Sequence, residues 1–429
     1  MREDIRQRIE IVRSGRVPEG YVGAIGGIFP VGWQHKPIKR VIQFYNKKSS
    51  EDNQYPILTS SRDGLYLQAD YFDGQVTRDD NTGYNLIPYG YITFRSRSDD
   101  GAIIFNRNTI IDVGIVSKFY PVFTSMEREV DAAYLVLYLN NILQSEIRRV
   151  VVGSTQLVLS ERKLLGLPFY APSYVSQQQI SGIILRCEHV ISLKQEILVE
   201  KRNRKKWLLE NLLDPDNGIR LEGFSGDWTT SSIGDAFTML GSIPASRAQL
   251  GIDGTKYLHY GDIHSSNNYY LDVSVSSIPR LVCKKTPTNA FLMDGDVVFV
   301  DASEDYEGAS KYIVIDNPQS EPIIAGLHTL GMRQKNDKFI KHFEIYMFQS
   351  NSVKKLINFY VSGMKVFGLS KVNIQKITFQ YPGLKEQRAI AHVLSTADRE
   401  IDLLQQEIEQ WQLLKKALSQ LLLTGLVRV

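Results

Sequence analysis

Cysteine is almost missing from this chain. Cys187 and Cys283 are the only two in 429 residues, far apart and outside any CxxC pair. That excludes a disulfide framework and a thiolate metal site of the usual spacing, and both read as small, reduced, buried residues. Long apolar runs are missing too. Stretches such as Ala132 to Leu139 and Ser181 to Leu185 fall well short of the roughly 20 residues of a membrane span, so no membrane contact is expected. Met1 to Glu10 mixes basic and acidic side chains without an apolar stretch. This is neither a secretory signal nor an acid-poor transit peptide, and a cytoplasmic location is expected. Nor is either charge in excess: 50 Lys and Arg against 47 Asp and Glu leave a formal +3, too close to neutral to announce a polyanionic partner.

Signatures of catalysis are lacking as well. There is no GxxxxGK[ST] phosphate loop, GxSxG elbow, HExxH pair or dinucleotide fingerprint. Asn317-Pro318-Gln319-Ser320 falls short of the NPP[YF] signature of amino-methyltransferases. Glu161-Arg162-Lys163, which could be half of a nuclease site, has no Pro-Asp partner upstream. The seven histidines are scattered, with His259 and His264 the closest pair, and suit hydrogen bonding better than metal ligation. No catalytic residue and no metal ligand is assigned.

What the chain does have is repetition, on a length that calls for two or three domains. Residues 151–213 lie on residues 361–423 at a constant lag of 210, with 16 of 63 positions identical, several times what chance supplies. The identities include Val151/Val361, Gly153/Gly363, Leu159-Ser160/Leu369-Ser370, Phe169/Phe379, Pro172/Pro382, Gln177/Gln387 and Lys205-Lys206/Lys415-Lys416. Upstream, Pro88 to Ser98 matches Met293 to Ser303 at a lag of 205, and Phe29, Trp33 and Ile38 match Phe224, Trp228 and Ile233 at 195. Insertions therefore concentrate in the front of each copy, giving two units with a variable head and an invariant tail.

Each tail reads as one long helix with a coiled-coil seam. Ile180, Ile184, Cys187, Ile191, Lys194, Leu198, Lys201, Lys205, Leu208 and Leu212 advance by alternate steps of four and three. Ile390, Leu394, Ala397, Ile401, Leu404, Ile408, Trp411, Lys415, Leu418 and Leu422 repeat those steps, a 3.5-residue period that requires a helical partner. Pro172 and Pro382 precede the helices, Ser176 with Gln179 has capping-box spacing, and Asp214-Pro-Asp-Asn-Gly218 ends the first. About 37 residues at about 1.5 Å each make either helix on the order of 55 Å long. The heads instead show short strand-like runs, Tyr91 to Phe94, Ile110 to Val116, Val297 to Val300 and Tyr312 to Ile315, separated by Gly, Asp and Asn turns. One apolar helix is expected on each sheet, from Tyr134 to Ile147 and from Phe343 to Phe359, and residues 1–14 form an extra amphipathic helix without a counterpart.

This order of parts resembles the specificity subunit of type I restriction-modification systems, over nearly the whole chain. The best local marker is Pro382-Gly-Leu-Lys-Glu386-Gln387-Arg-Ala-Ile390, running through Ile401, Leu404, Leu418, Leu422 and Gly425 to Arg428. The first copy keeps Pro172, Gln177 and Ile180 but has Ser176 where the motif expects glutamate. The resemblance implies an α+β fold, with two mixed α/β target-recognition domains separated by two long helices forming an antiparallel coiled coil with pseudo-twofold symmetry. The divisions are a helical extension (1–27), recognition domain 1 (28–172), spacer helix 1 (173–214), recognition domain 2 (220–380) and spacer helix 2 (381–424). It implies a non-catalytic subunit in which each domain reads one half of an asymmetric split DNA target. The helices set the half-site spacing and dock two modification (methyltransferase) subunits, with two restriction (translocase/nuclease) subunits as further partners. S-adenosylmethionine, ATP and Mg belong to those partners and no cofactor to this chain. A 55 Å spacer corresponds to roughly sixteen base pairs at about 3.4 Å each.

Under that resemblance, DNA contacts fall to Arg, Lys and other polar side chains of the heads. In the first head these are Lys36, Lys39 and Arg40 near Trp33, then Arg62, Arg95 and Arg97; in the second, His259, Tyr260, Lys284, Lys285, Arg333 and Lys335. The run Lys201-Arg-Asn-Arg-Lys-Lys206 reads as cations at the negative end of a helix dipole, with backbone phosphates as the other use. Two rival readings remain: a fused or degenerate restriction enzyme with its own methyltransferase or nuclease activity, and a coiled-coil adaptor whose heads bind protein.

Overall fold

The computed structural model describes residues 3–72, 80–126, 129–153, 156–217, 219–266, 268–282, 288–304, 308–316, 318, 321–363 and 366–429. The chain is α+β and folds as two compact units, Met1–Gln195 with Gln406–Val429, and Glu196–Gln405. Among the described residues no helix is long and apolar enough to cross a membrane.

Short β-branched and aromatic runs make the first head's central sheet. Its strand order is Phe105–Arg107, Ile92–Phe94, Val122–Ser125, Ile42–Phe44, all antiparallel. Ile92, Thr93 and Phe94 are all buried, as a strand covered on both faces must be, so alternation was not available as a signal. One covering layer is helical. Instead of the expected single helix there are two, Ala132–Asn141 and Gln144–Val150. Asp131 caps the first by accepting the Tyr134 N–H at 2.8 Å, and the Gln144 amide ends it by donating to Leu139 O at 3.2 Å and Ile103 O at 2.7 Å.

The second head repeats this frame. Phe237–Met239, Thr329–Gln334, Val297–Val300 and Tyr312–Asp316 form the equivalent sheet, extended by a parallel edge strand, Tyr270–Asp272. Its helical layer is again two pieces rather than one, Phe343–Met347 and Asn351–Tyr360, with Ser350 capping the second. A second sheet, Arg280–Leu281, Thr255–Leu258, Ile323–Ala325 and Phe291–Leu292, has its counterpart in the first head, where Leu65–Leu67 pairs with Leu58–Ser60, Ile57 bridges Ile115 in parallel and Val113–Val116 pairs with Asn85–Pro88. The weak match at a lag of 195 has a structural basis. Gln34–Pro37 pairs with Pro168–Ala171 and Thr229–Ser232 with Thr378–Tyr381, so each head's entry strand is clamped to the strand leading into its own long helix.

The repeated identities have repeated jobs. Gly153 and Gly363 sit at φ +154° and +146°, and a Cβ on either would meet a carbonyl oxygen, Gln156 O at 1.8 Å and Val366 O at 1.9 Å. The buried amides of Gln177 and Gln387 donate to Pro172 O (3.0 Å) and Pro382 O (2.9 Å), while their oxygens accept from Asp131 N and Ile340 N. One side chain thus ties helix start to head in each copy, where loss would strand buried backbone groups.

The long helices are Tyr174–Leu212 and Leu384–Leu423. The first begins three residues earlier than Ser176 as cap would require: Ser173 is the cap, its hydroxyl accepting the Ser176 N–H at 3.3 Å. Ser176 lies in the first turn because the chain is already helical at Tyr174. Seam residues Ile180, Ile184, Ile191, Leu212, Ile390, Leu394, Ile401, Leu404, Ile408 and Leu422 are buried, and Leu198, Leu208 and Leu418 half-buried. In both units the helix segments run antiparallel. In the first, Glu188 meets Lys415 at 3.1 Å and Lys194 meets Glu407; in the second, Lys201 meets Glu400 at 2.8 Å and Lys205 meets Asp398. Lysines in the seam are thus answered by carboxylates, which explains the Lys205/Lys415 identity.

Tail ends are exchanged between copies. Leu422 and Leu423, ending the second long helix, enter the first head's core beside Phe29 and Leu143, whereas Leu212 and Leu213 enter the second head's core. Burying each leucine stabilises its head by about 1.5–3 kcal/mol. Gly425, at φ +68°, turns the chain against Pro30 and Trp33, where a Cβ would come within 2.7 Å of both. Its carbonyl accepts from Tyr21 Oη at 2.8 Å, and Tyr21 in turn accepts from Arg8 of the extra helix Glu3–Arg13 at 2.9 Å.

Candidate nucleic-acid interface

Arg62, Arg95 and Arg97 converge in the first head. With Ser60, Ser61, Ser98 and Asp99 they line one open cleft, where the turn Ser61 to Gly64 faces the end of strand Ile92–Phe94. Arg95 and Arg97 point outward from the residues immediately following that buried strand and are exposed. Arg62 bonds Asp100 at 2.8 Å. The Ser98 hydroxyl and the Ala102 N–H, with Arg62, hold the Asp100 carboxyl down to about 2, keeping the acid charged at neutral pH. Three guanidiniums among hydroxyls, against one or two carboxylates, leave donors for phosphate or for the acceptor edge of guanine. Lys39 and Arg40 are exposed and form no ion pair among the described residues. Lys36 pairs with Glu129 and lines a small recess against Phe169 and Gln177.

In the second head Arg333 and Lys335 are engaged internally. Arg333 clasps the buried Asp296 at 2.9 and 2.7 Å and also donates to Phe291 O at 2.9 Å. Burial pushes the Asp296 carboxyl up against the pull of Arg333. Lys335 donates to Gly234 O at 2.9 Å. His259, 4% exposed, caps the helix Tyr260–Ser265 by accepting the Gly261 N–H at Nδ1, and burial pushes its imidazole down, toward the neutral form. Tyr260 is half-buried, its ring 4.4 Å from that of His259. Lys284 and Lys285, with Cys283, lie outside the described residues. Sequence reasoning missed Arg247, exposed and bonded to Asp262 at 2.8 Å, and His328, whose Nδ1 lies 3.1 Å from Asp301. Neither belongs to a motif, and His328 holds φ +55°, a conformation no sequence pattern announces.

The fragments singled out in sequence lie only partly among the described residues. Lys163 donates to Val150 O rather than meeting Glu161 at a reaction centre. Of Asn317 to Ser320 only Pro318 is among the described residues. No group of three or more His, Cys, Asp or Glu side chains able to hold a metal occurs among the described residues. Cys187 is a buried free thiol in the helix seam.

Residues 226–412 match the family model of the type I restriction modification DNA specificity domain. The MjaVIII type I restriction enzyme specificity subunit of Methanocaldococcus jannaschii is 22% identical over 325 residues, 74% of this chain and 75% of that one. The putative MjaX specificity subunit of the same organism is 21% identical over 71% and 70%. The fold is shared with the S subunit of the type I system of M. genitalium, at a TM-score of 0.55 and 13% identity over 91% of this chain and 96% of that one. It is also shared with a chain from a type I R-M system solved for its complex assembly and conformational transition (TM-score 0.54, 12% identity, 93% and 99% covered). The duplicated head-and-helix frame, the family model over residues 226–412 and these relatives agree in likening the chain to the specificity subunits of type I restriction-modification systems.

Proposed function

We propose that each head reads one half of a split, asymmetric DNA sequence, and that the two long helices set the number of unread base pairs and carry two modification subunits. The observation that carries this reading is one frame built twice with unlike surfaces: the same sheet, clamp strands and Gln177/Gln387 tie, but Arg62, Arg95 and Arg97 around an open cleft in the first head, where Arg333 and Lys335 of the second are engaged internally. Identical subunits read palindromes; unlike heads on one frame suit unlike half-sites. Arg62, Arg95 and Arg97, with the exposed Lys39 and Arg40, are the first head's contacts in this reading. Chemistry then resides elsewhere. S-adenosylmethionine sits on the modification subunits for adenine methylation, ATP and Mg on restriction subunits where these join, and the assembly works on DNA in the cytoplasm. Co-expression with the modification subunits, followed by sequencing of modified bases, should return a single bipartite, non-palindromic motif. A continuous palindrome, or turnover of S-adenosylmethionine by the purified chain alone, would sink the reading.

A further inference from the structure

The two heads present a matched pair of exposed rings at one corner of their common frame. In the first head Leu159 donates its N–H to Ser96 O at 2.9 Å, and Ser96 donates its own N–H (3.4 Å) and hydroxyl (2.8 Å) to Phe119 O. In the second, Leu369 donates to Asp301 O at 2.9 Å and Asp301 donates to His328 O at 3.1 Å. Leu159 and Leu369 are repeat mates, as are Ser96 and Asp301, so the hydrogen-bond chain makes Phe119 and His328 equivalent although intervening insertions hide this in the sequence. Both rings are solvent-facing. Phe119 is 55% exposed, with the Arg97 guanidinium over one face at 4.3 Å. His328 has a side chain 47% exposed, held by Asp301 and standing edge-on to Tyr260 at 5.5 Å.

An apolar ring of that exposure is costly on a surface with nothing to cover it, and a ring fixed by a cation or a carboxylate has already lost the rotamer freedom that binding would otherwise remove. We propose that Phe119 and His328 are the side chains through which the two heads enter their respective DNA half-sites; this rests on the reading that the heads recognise DNA. The ring chemistry differs and so should the bases. Phe119 offers a face for stacking on a base or packing on a thymine methyl, beside the arginines of the cleft. Asp301 can only accept, so Nδ1 of His328 donates to it, and Nε2 is left to meet a base edge. Unlike rings at equivalent corners are what unlike half-sites require.

The test uses the full chain in complex with its modification subunits, after the parent motif has been identified from modified bases. The probes are a duplex carrying that motif and duplexes scrambled in one half. Phe119→Ala should weaken binding on the order of 10-fold and relax methylation at one half-site only, and His328→Ala should do so at the other. Phe119→Tyr should restore the first half-site. Parent-like melting and co-purification with modification subunits exclude loss of fold as the cause. Parent affinity within twofold and an unchanged motif in both alanine variants would overturn the proposal. So would loss of subunit co-purification with the motif intact, since the rings would then face protein. A parent complex that yields no bipartite motif overturns the functional reading and this proposal together, whereas an intact parent motif with insensitive variants overturns this one alone.

Discussion

The first head keeps Arg95 and Arg97 at the surface, and the second folds Arg333 and Lys335 into its own framework. Arg95 and Arg97 follow a buried strand into solvent, whereas Arg333 lies across the buried Asp296 and Lys335 reaches a backbone carbonyl. The heads share a sheet, two clamped strands and a glutamine tie, and this difference lies in what stands on that shared frame. Stability and recognition have been assigned to separate residues, and recognition can diverge while the frame stays fixed.

That separation can be broken most severely at the exchanged tail ends. Leu423→Ala should cost the first head about 2–5 kcal/mol, and Leu213→Ala the second head a similar amount, each seen by hydrogen exchange as loosening in one head alone. If either substitution loosens both heads equally, the two cores are not independent.

A smaller contrast is pH-dependent. Glu344 is fully buried in the second head, and burial raises its carboxyl to about 7 from 4.5 against the pull of the backbone N–H groups of His342 and Glu344. The folded state therefore holds a proton that the unfolded chain releases. Stability of this head should be unaffected by the group below about pH 4.5, fall as pH rises from 4.5 to 7, and stay lower above that, by about 3 kcal/mol in all. Urea unfolding of Glu344→Gln across this range should lack that slope. The corresponding helix of the first head, Ala132–Asn141, carries no acidic residue, so no such loss is expected there; a slope that survives the substitution would refute the assignment.

The smallest effect sharpens the comparison on DNA. Replacing Arg62, Arg95 or Arg97 by Gln should each lower the slope of log affinity against log salt by roughly 1 where the arginine meets a phosphate. Arg333→Gln should leave the slope unchanged and lower the melting temperature instead. Equal slopes in all four variants would erase the distinction between the heads.

Much of the frame was legible because the same physical task recurs at the same lag. Gly153 and Gly363 both avoid a carbonyl, Gln177 and Gln387 both tie helix to head, and Lys205 and Lys415 both meet an acid on the opposing helix. Ser176 at the glutamate position also has a reason. Glu386 is buried and gripped side-on by Arg220, which stacks near Trp228, whereas Ile25 stands at Arg220's place in the first copy at a lag of 195. Other features were not legible. Periodicity cannot say which head a helix end closes, so the exchange of Leu212 and Leu422 was hidden. The apolar stretches over each sheet gave no sign of their breaks, because Gln144 and Ser350 act there through hydrogen bonds rather than through pattern. At the candidate interface, Arg95 and Arg97 adjoin a repeated strand and could be picked out, but Phe119 reads as core in any hydropathy pattern, and its correspondence to His328 appears only through backbone hydrogen bonds.

The exchanged tail ends also order events in time. The second head is flanked in sequence by both helices that complete it, so its core can close while the ribosome is still finishing the chain. The first head waits for Leu422 and Leu423, about 250 residues after its own last strand, or on the order of 10 to 50 s of translation. Through that interval the seam face of the first long helix and the edge of the first core stay open, so the head made first is the one whose nascent form most needs protection from aggregation.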